Sequence, residues 1–558
     1  MDIEATTDSA NVASPRLGPV TEPLLLPRPR ASRSAHVAAL VLGIGVIAVM
    51  LAALGYKVFE LDRYFVPKEL VLNVAGLLVA LTLLPRLRSM RFDVADALLA
   101  AFIAWSAVSA IFATNHWLAQ RALAVTLSSA LIFWAARMAS SEGLARPLLG
   151  AASLATVLVA LTSLAQAFGM EIEYFTLARA PGGTLGNRNF IAHAVAIGFP
   201  VTVWWTITAK RRLAALLGSI GVALLSATLV LSRSRAAWLA LAVTLVVFLG
   251  LLFFSFRYID RKKIGGRLAR IALTSALGGM LAIVLPNELN WNSESPYLDS
   301  AKKMVDYSSG SGRGRVAQYR NTLRMAASNP VLGVSPGNWP VRYVRYAPGN
   351  DKSLAENGMT ANPWPSSDWM AFISERGFMG ALLLLGVFAA LFFRSLRRWK
   401  DHPDSDTVLM QVMAASTIVA AMVTSAFDAV LLLPAPAFLT WLILGVATGE
   451  RRTETEIAVS GKRWVAVALL LIVATISVVR SATQIISMST VGTGGRTASW
   501  VAGALWDPGS YRINQRVADI YANRGQCRRS IPFARRAASL FPNSGTAKRA
   551  LRRCGVRR

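Results

Sequence analysis

SGSGRGRVAQYRNTLRMAASNPVLGVSPGNW, residues 309–339, lies at the centre of the one long polar interruption in an otherwise apolar chain. The interruption runs from about Pro286 to Asp368 and closes with NPWPSSDWMAFISERGFMG, residues 362–380, which passes straight into an apolar helix at Met370. Arg313, Arg315, Arg320 and Arg324 lead into a Pro and Gly turn, so the first part reads as a basic helix and the last as a return to an apolar environment. A polar loop of this length between apolar segments is the expected seat of function.

Working outward, the rest of the chain sets the class. With 558 residues, 54% hydrophobic, only 16% charged and a mean hydropathy of +0.45, it is too apolar for a soluble globule of its size. Runs long enough to cross a hydrocarbon layer as helix fall near 36–56, 67–85, 93–113, 121–139, 146–168, 188–208, 211–231, 236–256 and 267–286 before the loop. After it they fall near 368–393, 408–430, 433–449 and 463–481. Lipid cannot satisfy an open backbone and no period-2 pattern is present, so the spans are helices. The expected fold is an all-α integral membrane protein of about 12–13 transmembrane helices with a large external loop and a small helical C-terminal extension. The expected divisions are a disordered tail (1–35), nine spans (36–286), the loop (287–367), four spans (368–481) and the tail (482–558).

The net charge of +29 invites a nucleic-acid reading, but its distribution excludes one. Lys and Arg collect in alternate short loops, such as Arg86, Arg88 and Arg91; Lys210, Arg211 and Arg212; and Arg394, Arg397, Arg398 and Lys400. That bias places the N-terminus in the cytoplasm and, with an odd number of spans, the large loop and the C-terminus on the outer, periplasmic side of a bacterial inner membrane. The remaining basic surplus suits contact with anionic membrane lipids.

Two short motifs break the pattern. PGGTLGNRN, residues 181–189, sets Asn187, Arg188 and Asn189 at the mouth of a helix, where amide and guanidinium donors suit a phosphate or a sugar; an ordinary capped turn is the alternative. LSRSRAAW, residues 231–238, puts Arg233 and Arg235 in a very short outer turn, where the charge bias disfavours arginine and a bidentate grip on diphosphate gives it a purpose.

Together with residues 309–339 and SDWMAFISERGFMGALLLL (367–385), these motifs resemble the O-antigen ligase and polymerase superfamily of bacterial membrane glycosyltransferases, over roughly residues 60–450. The resemblance implies a bundle of about a dozen helices that transfers a glycan from a polyprenyl diphosphate carrier to an acceptor hydroxyl, on lipid A core or another glycan. It implies diphosphate-holding arginines at Arg233 or Arg235 and at Arg313 or Arg315, with Arg320 beside them. One departure stands out. Relatives carry a loop histidine just before the re-entering helix, and the matching place reads Pro365, Ser366, Ser367, Asp368. No histidine occurs between His193 and His402, so the base expected for a hydroxyl nucleophile falls to Asp368 or Glu375, or to the more distant Glu356. Asp368 as a helix cap is the competing reading.

The tail from about Ala482 resembles one to one and a half tetratricopeptide-type repeats, which pack on the loop or on a protein partner because one repeat cannot bury its own apolar face. Its Cys527 and Cys554 are the chain's two cysteines; antiparallel helices would bring them together as a disulfide, and two free thiols are the alternative. No spacing indicates a metal or a cofactor. A lipid or polysaccharide transporter and a catalytically silent assembly partner are readings of another class, and a polymerase or a protein oligosaccharyltransferase are variants of the enzyme. The absence of a clear inverted repeat favours the enzyme over the transporter.

Overall fold

Helix follows the apolar runs. The computed structural model describes residues 31–85, 93–176, 178–291, 293–302, 310–355, 359–401, 404–449 and 461–556; most of the 1–35 tail, the basic residues Arg86, Arg88, Arg91, Arg451 and Arg452, His402, and Glu356 lie outside them. Among the described residues nine α-helices precede the loop: α1 (Arg33–Leu51), α2 (Asp62–Leu83), α3 (Val94–Ile111), α4 (His116–Ala139), α5 (Ala145–Ala167), α6 (Arg188–Ile207), α7 (Arg212–Ser232), α8 (Arg235–Ser255) and α9 (Arg261–Val284). The loop carries α10 (Pro296–Lys302), α11 (Gly310–Ala327) and α12 (Trp339–Arg342), followed by α13 (Asp368–Asp401), α14 (Ser405–Phe427), α15 (Pro434–Thr448) and α16 (Gly461–Gly494). The C-terminal unit is α17 (Thr497–Trp506), α18 (Tyr511–Asn523), α19 (Cys527–Leu540) and α20 (Gly545–Arg553). Among the described residues there is no strand, only an isolated bridge between Leu354 and Thr360.

Eleven stretches among the described residues are long and apolar enough to cross a membrane, and one of them, His116–Ala167, has 52 residues. At 1.5 Å per residue that is about 78 Å, more than twice a hydrocarbon core. Gly143, at φ 91°, breaks it into α4 and α5. With the shorter apolar α15 the described residues therefore hold thirteen membrane-type helices.

The chain is thus an all-α multi-pass membrane protein, with α6 the most buried of its candidate spans, packed among α5, α7, α8, α14 and α15. The bundle interior is small and aliphatic, with Ala192, Ala194, Ala196, Val201 and Leu442 fully or almost fully buried, which lets helix axes approach closely. At the end of the bundle away from the loop, arginines are paired within the protein. Arg137 bonds Asp96 at 2.5 Å, and Arg398 donates to the carbonyls of Ala447 and Gly449. The last span continues to Gly494, past the boundary expected near 481, because Ile485, Met488 and Val491 keep an apolar stripe that packs on Phe59, Val66 and Ala504.

The C-terminal unit lies on the loop. Asn543 Nδ2 donates to Val341 O at 3.0 Å and Asn115 Nδ2 to Leu540 O at 3.1 Å, while Tyr511 and Leu540 pack with Trp117 and Met359. A disulfide joins Cys527 to Cys554, closing α19 onto α20.

Candidate functional site

The turn between α7 and α8 has no glycine, and Arg233 itself takes the left-handed backbone, at φ 51°. For a side-chain-bearing residue this costs on the order of 1 kcal/mol, and such positions concentrate at functional sites. The turn is held by Trp238 Nε1 donating to Leu229 O at 2.7 Å, and Arg233 Nε donates to Ser300 Oγ of α10 at 2.9 Å.

The Arg233 guanidinium stacks on Trp291 at 4.5 Å, and Arg188, from the mouth of α6, stacks on the same ring at 5.0 Å. Arg179 and Arg233 both repel the Arg188 charge, and Asp299 is the carboxylate that faces Arg233. Partial burial pulls the Arg233 guanidinium below the ordinary arginine range, against the pull of Asp299 and Tyr297. The Trp291 indole N–H is buried with no hydrogen-bond partner among the described residues. Two guanidiniums sharing one ring, with the indole N–H beside them, form a donor-rich group suited to an anion.

Asn187 caps α6, its side chain accepting from Asn189 N at 3.0 Å, so it shapes the mouth at which Arg188 stands. Arg235 opens α8 two residues beyond Arg233, half-buried.

The basic loop segment is helical, and its periodicity divides the arginines. Arg313 and Arg320 are exposed, and Arg320 shares a surface pocket with Arg324 and Tyr346. Arg315 is half-buried on another face and lies within electrostatic reach of His193 in α6. Tyr319 anchors this helix, its hydroxyl donating to Ser366 O at 2.6 Å and Ala426 O at 3.1 Å.

The re-entering helix α13 is broken at Gly377, whose φ of 69° and ψ of 177° no helix contains. A Cβ there would come 2.0 Å from Val331 O, so glycine is required for the loop to sit against the helix, where Phe378 N donates to Pro330 O at 2.9 Å. The neighbouring Glu375 and Arg376 are fully buried: Arg376 pairs with Glu375 at 3.3 Å, lies over Phe372 at 5.0 Å and bonds Ser106 Oγ at 3.1 Å, and Glu375 Oε1 accepts from Trp339 N at 3.2 Å. Glu375 borders a cavity of about 120 Å³ under the loop.

Asp368 is also fully buried. Its Oδ2 accepts from Val430 N at 2.9 Å and Leu431 N at 2.6 Å, and its Oδ1 from Leu432 N at 3.4 Å. Consecutive amides converging on one carboxylate make a nest, and here it fixes the turn that leads into Pro434 and α15. The carboxylate anchors that turn rather than standing free at a surface.

The outer part of the loop has its own core, Met325, Val334, Trp339 and Tyr343. Asp351 accepts from Tyr343 OH at 2.7 Å, Asn321 Nδ2 at 3.0 Å and Ser353 N at 2.8 Å. Burial alone would raise the Asp351 carboxyl; these bonds outweigh it and hold it below the usual carboxylate range. Burial, then the bond to Asp351, raises the Tyr343 phenol.

Sequence reading missed Trp291 and Ser300, since nothing local marks a tryptophan as the shared platform of two arginines 45 residues apart in sequence. His193 of α6 has both ring nitrogens buried without a hydrogen-bond partner among the described residues.

Comparison with curated proteins returned no match. A family model described as O-antigen ligase matches residues 220–385, from within α7 through the loop to the middle of α13, and so contains Arg233, Arg235, Arg313, Arg315, Arg320, Asp368 and Glu375 but not Asn187, Arg188 or Asn189. The segment that builds the α7–α8 turn, the loop and the broken helix therefore matches the O-antigen ligase family, and this match supports placing the chain in the O-antigen ligase superfamily of membrane proteins.

Proposed function

We propose that this protein transfers a glycan from a polyprenyl diphosphate carrier to an acceptor hydroxyl at the periplasmic face of the inner membrane. The family match supports a membrane enzyme of the glycan ligase or polymerase type, and the finer reading rests chiefly on the shared stacking of Arg188 and Arg233 on Trp291. The planar donors of that group suit the oxygens of a diphosphate held at the membrane surface. In the transfer, the acceptor oxygen attacks the anomeric carbon, the carbon–oxygen bond to phosphate breaks, and the bonding pair leaves with the diphosphate. Arginines preorganised around the departing oxygens stabilise the charge that develops there, and this is the largest contribution expected from the site. Arg235 and Arg315 complete the clamp from α8 and α11, while Arg313 and Arg320, on the exposed face of α11, meet the glycan or its carrier at entry.

The acceptor proton goes to a carboxylate. Glu375 borders the cavity under the loop and takes this role; Asp368, held by its amide nest, supports the site. The same clamp would serve a polymerase, in which the acceptor is itself a glycan chain.

The test is carrier binding. Full-length protein in nanodiscs is titrated with polyprenyl diphosphate and with polyprenyl monophosphate. The reading expects tighter binding of the diphosphate and about 10- to 100-fold weaker binding by Arg233→Gln, the loss of one charge-assisted contact of about 1.5–3 kcal/mol. Equal affinity of wild type and Arg233→Gln would remove the diphosphate from this site.

A further inference from the structure

From residue 511 to residue 556 the C-terminal unit carries eleven Lys and Arg against one acid, Asp519, and ten of the eleven are arginine. Topology does not account for them, because the side expected for the loop and this unit is the one where the charge bias disfavours arginine. Packing does not account for them either. α19 buries Ser530, Ala534, Ala537 and Leu540, and its opposite face exposes Arg528, Arg529, Arg535 and Arg536. Among the described residues the one salt bridge of this unit joins Arg512 to Glu60, so those four guanidiniums meet no carboxylate.

The basic face continues onto the loop. Asn543, in the turn after α19, donates from Nδ2 to Val341 O at 3.0 Å, and its Oδ1 accepts from Nε of the exposed Arg345 at 3.3 Å. Tyr346, next in the chain, lines a surface pocket with Arg320, Asn321 and Arg324, and its half-buried ring and hydroxyl suit a sugar. Asp351, which accepts from Asn321, has its charge already met by Tyr343 OH and Ser353 N as well. A basic track thus leads from the loop pocket through Arg345 to α19. Along α19 the pairs Arg528–Arg529 and Arg535–Arg536 are seven residues apart, about 10 Å by helical rise, and share a face, so one extended chain can reach both.

Arginine forks suit acids spaced along a polymer or phosphates of a lipid surface. Two observations favour the polymer. No large apolar side chain is exposed among the described residues of 507–556, so α18–α20 lack the apolar face with which a helix beds into a lipid interface; the exposed Leu505 and Trp506 belong to α17. The track also passes from a helix face into a concave pocket, a course that a chain can follow and a flat lipid surface cannot.

We infer that the outer face of α19 and the adjoining loop pocket bind an acidic polysaccharide, a glycan with carboxylates or phosphates on successive units. That this glycan is the one transferred rests on the reaction proposed above; the binding itself does not. If both hold, the C-terminal unit selects charged over neutral glycan away from the reacting carbon.

The experiment is binding of fluorescent oligogalacturonate to the full-length protein in zwitterionic nanodiscs, beside a neutral oligoglucan and poly-glutamate of equal length. Oligogalacturonate is expected to bind at least tenfold more tightly than the glucan and at least threefold more tightly than poly-glutamate, with affinity falling as salt rises. Arg528→Gln with Arg529→Gln, and Arg535→Gln with Arg536→Gln, should each weaken it about tenfold, and Arg345→Gln about threefold. Polyprenyl diphosphate binding should be unchanged in all of them. Hydrogen exchange of the wild type, slowed over residues 527–540 by oligogalacturonate, decides the matter if a variant does not fold. Equal binding of the neutral glucan, or full binding by both double variants, overturns the inference. So does equal binding of poly-glutamate, which gives the face to an acidic protein. Slowed exchange in phosphatidylglycerol nanodiscs with no response to the glycan overturns it as well and gives the face to the membrane. Loss of diphosphate selectivity at Arg233 would strike the clamp and leave this binding in place.

Discussion

Replacing Asp368 separates an anchoring carboxylate from a catalytic one. Its two short bonds, to Val430 N at 2.9 Å and Leu431 N at 2.6 Å, are charge-assisted, and the third, to Leu432 N at 3.4 Å, is weak. At about 1.5–3 kcal/mol for each bond to a charged acceptor, Asp368→Ala should destabilise the fold by about 3–6 kcal/mol, because the amides stay buried once their acceptor is gone. Asp368→Asn keeps one oxygen for the nest but turns an N–H₂ toward it, and should lose about half as much. The assay is unfolding in detergent followed by tryptophan fluorescence, with glycan transfer measured per folded molecule. Graded loss of stability from wild type through Asn to Ala, with Asn retaining much of its turnover when folded, is the expected pattern. A wild-type unfolding midpoint for Asp368→Ala, or an Asn variant of full stability whose turnover falls a thousandfold, would refute the anchoring argument and return the base role to Asp368.

Gly377→Ala places a Cβ 2.0 Å from Val331 O on a backbone at φ 69°, so it should cost several kcal/mol by the usual range for strain plus overpacking and loosen the loop, read as faster hydrogen exchange over residues 330–340. The Asp351 carboxyl titrates lower in the folded loop than in the unfolded chain. Its contribution to stability is therefore full above the unfolded value of about 4 and lost as pH falls through the lowered folded value. Hydrogen exchange over residues 339–355 should rise at the acid end of a titration from pH 6 to 2 in wild type, and much less pH dependence is expected in Asp351→Asn. Cys527→Ser opens a link spanning 27 positions and should cost the C-terminal unit roughly 3 kcal/mol, seen as earlier proteolysis after Arg524 under conditions that leave the wild-type tail intact.

The spans were legible because hydropathy is a local property that some 20 consecutive residues express together. The basic segment of the loop was legible as a helix as well; its period sets Arg313 and Arg320, seven residues apart, on one face, and Arg315, two residues from the one and five from the other, on another. What could not be read were groupings made by the fold. Ser366-Ser367-Asp368 looks like a helix cap, and only the return of α14 brings the amides of residues 430–432, more than sixty positions away, onto the carboxylate. Trp291 carries no local mark of its role; it becomes a platform when α6 and the α7–α8 turn bring Arg188 and Arg233 to it. The cavity that Glu375 borders is likewise assembled from α2, α3, α4, α13, α15 and the loop, which meet only in the packed bundle.

The most direct test of the account is single-turnover transfer from a polyprenyl diphosphate-linked glycan, in nanodiscs, by wild type, Arg188→Ala, Arg233→Ala and the double variant. The account predicts that each single variant slows transfer by at least a hundredfold, and that the double variant is less impaired than the product of the two, because both arginines grip one diphosphate. Transfer at the wild-type rate by Arg233→Ala, or bound carrier that is never cleaved by wild type with any hydroxyl acceptor, would contradict it.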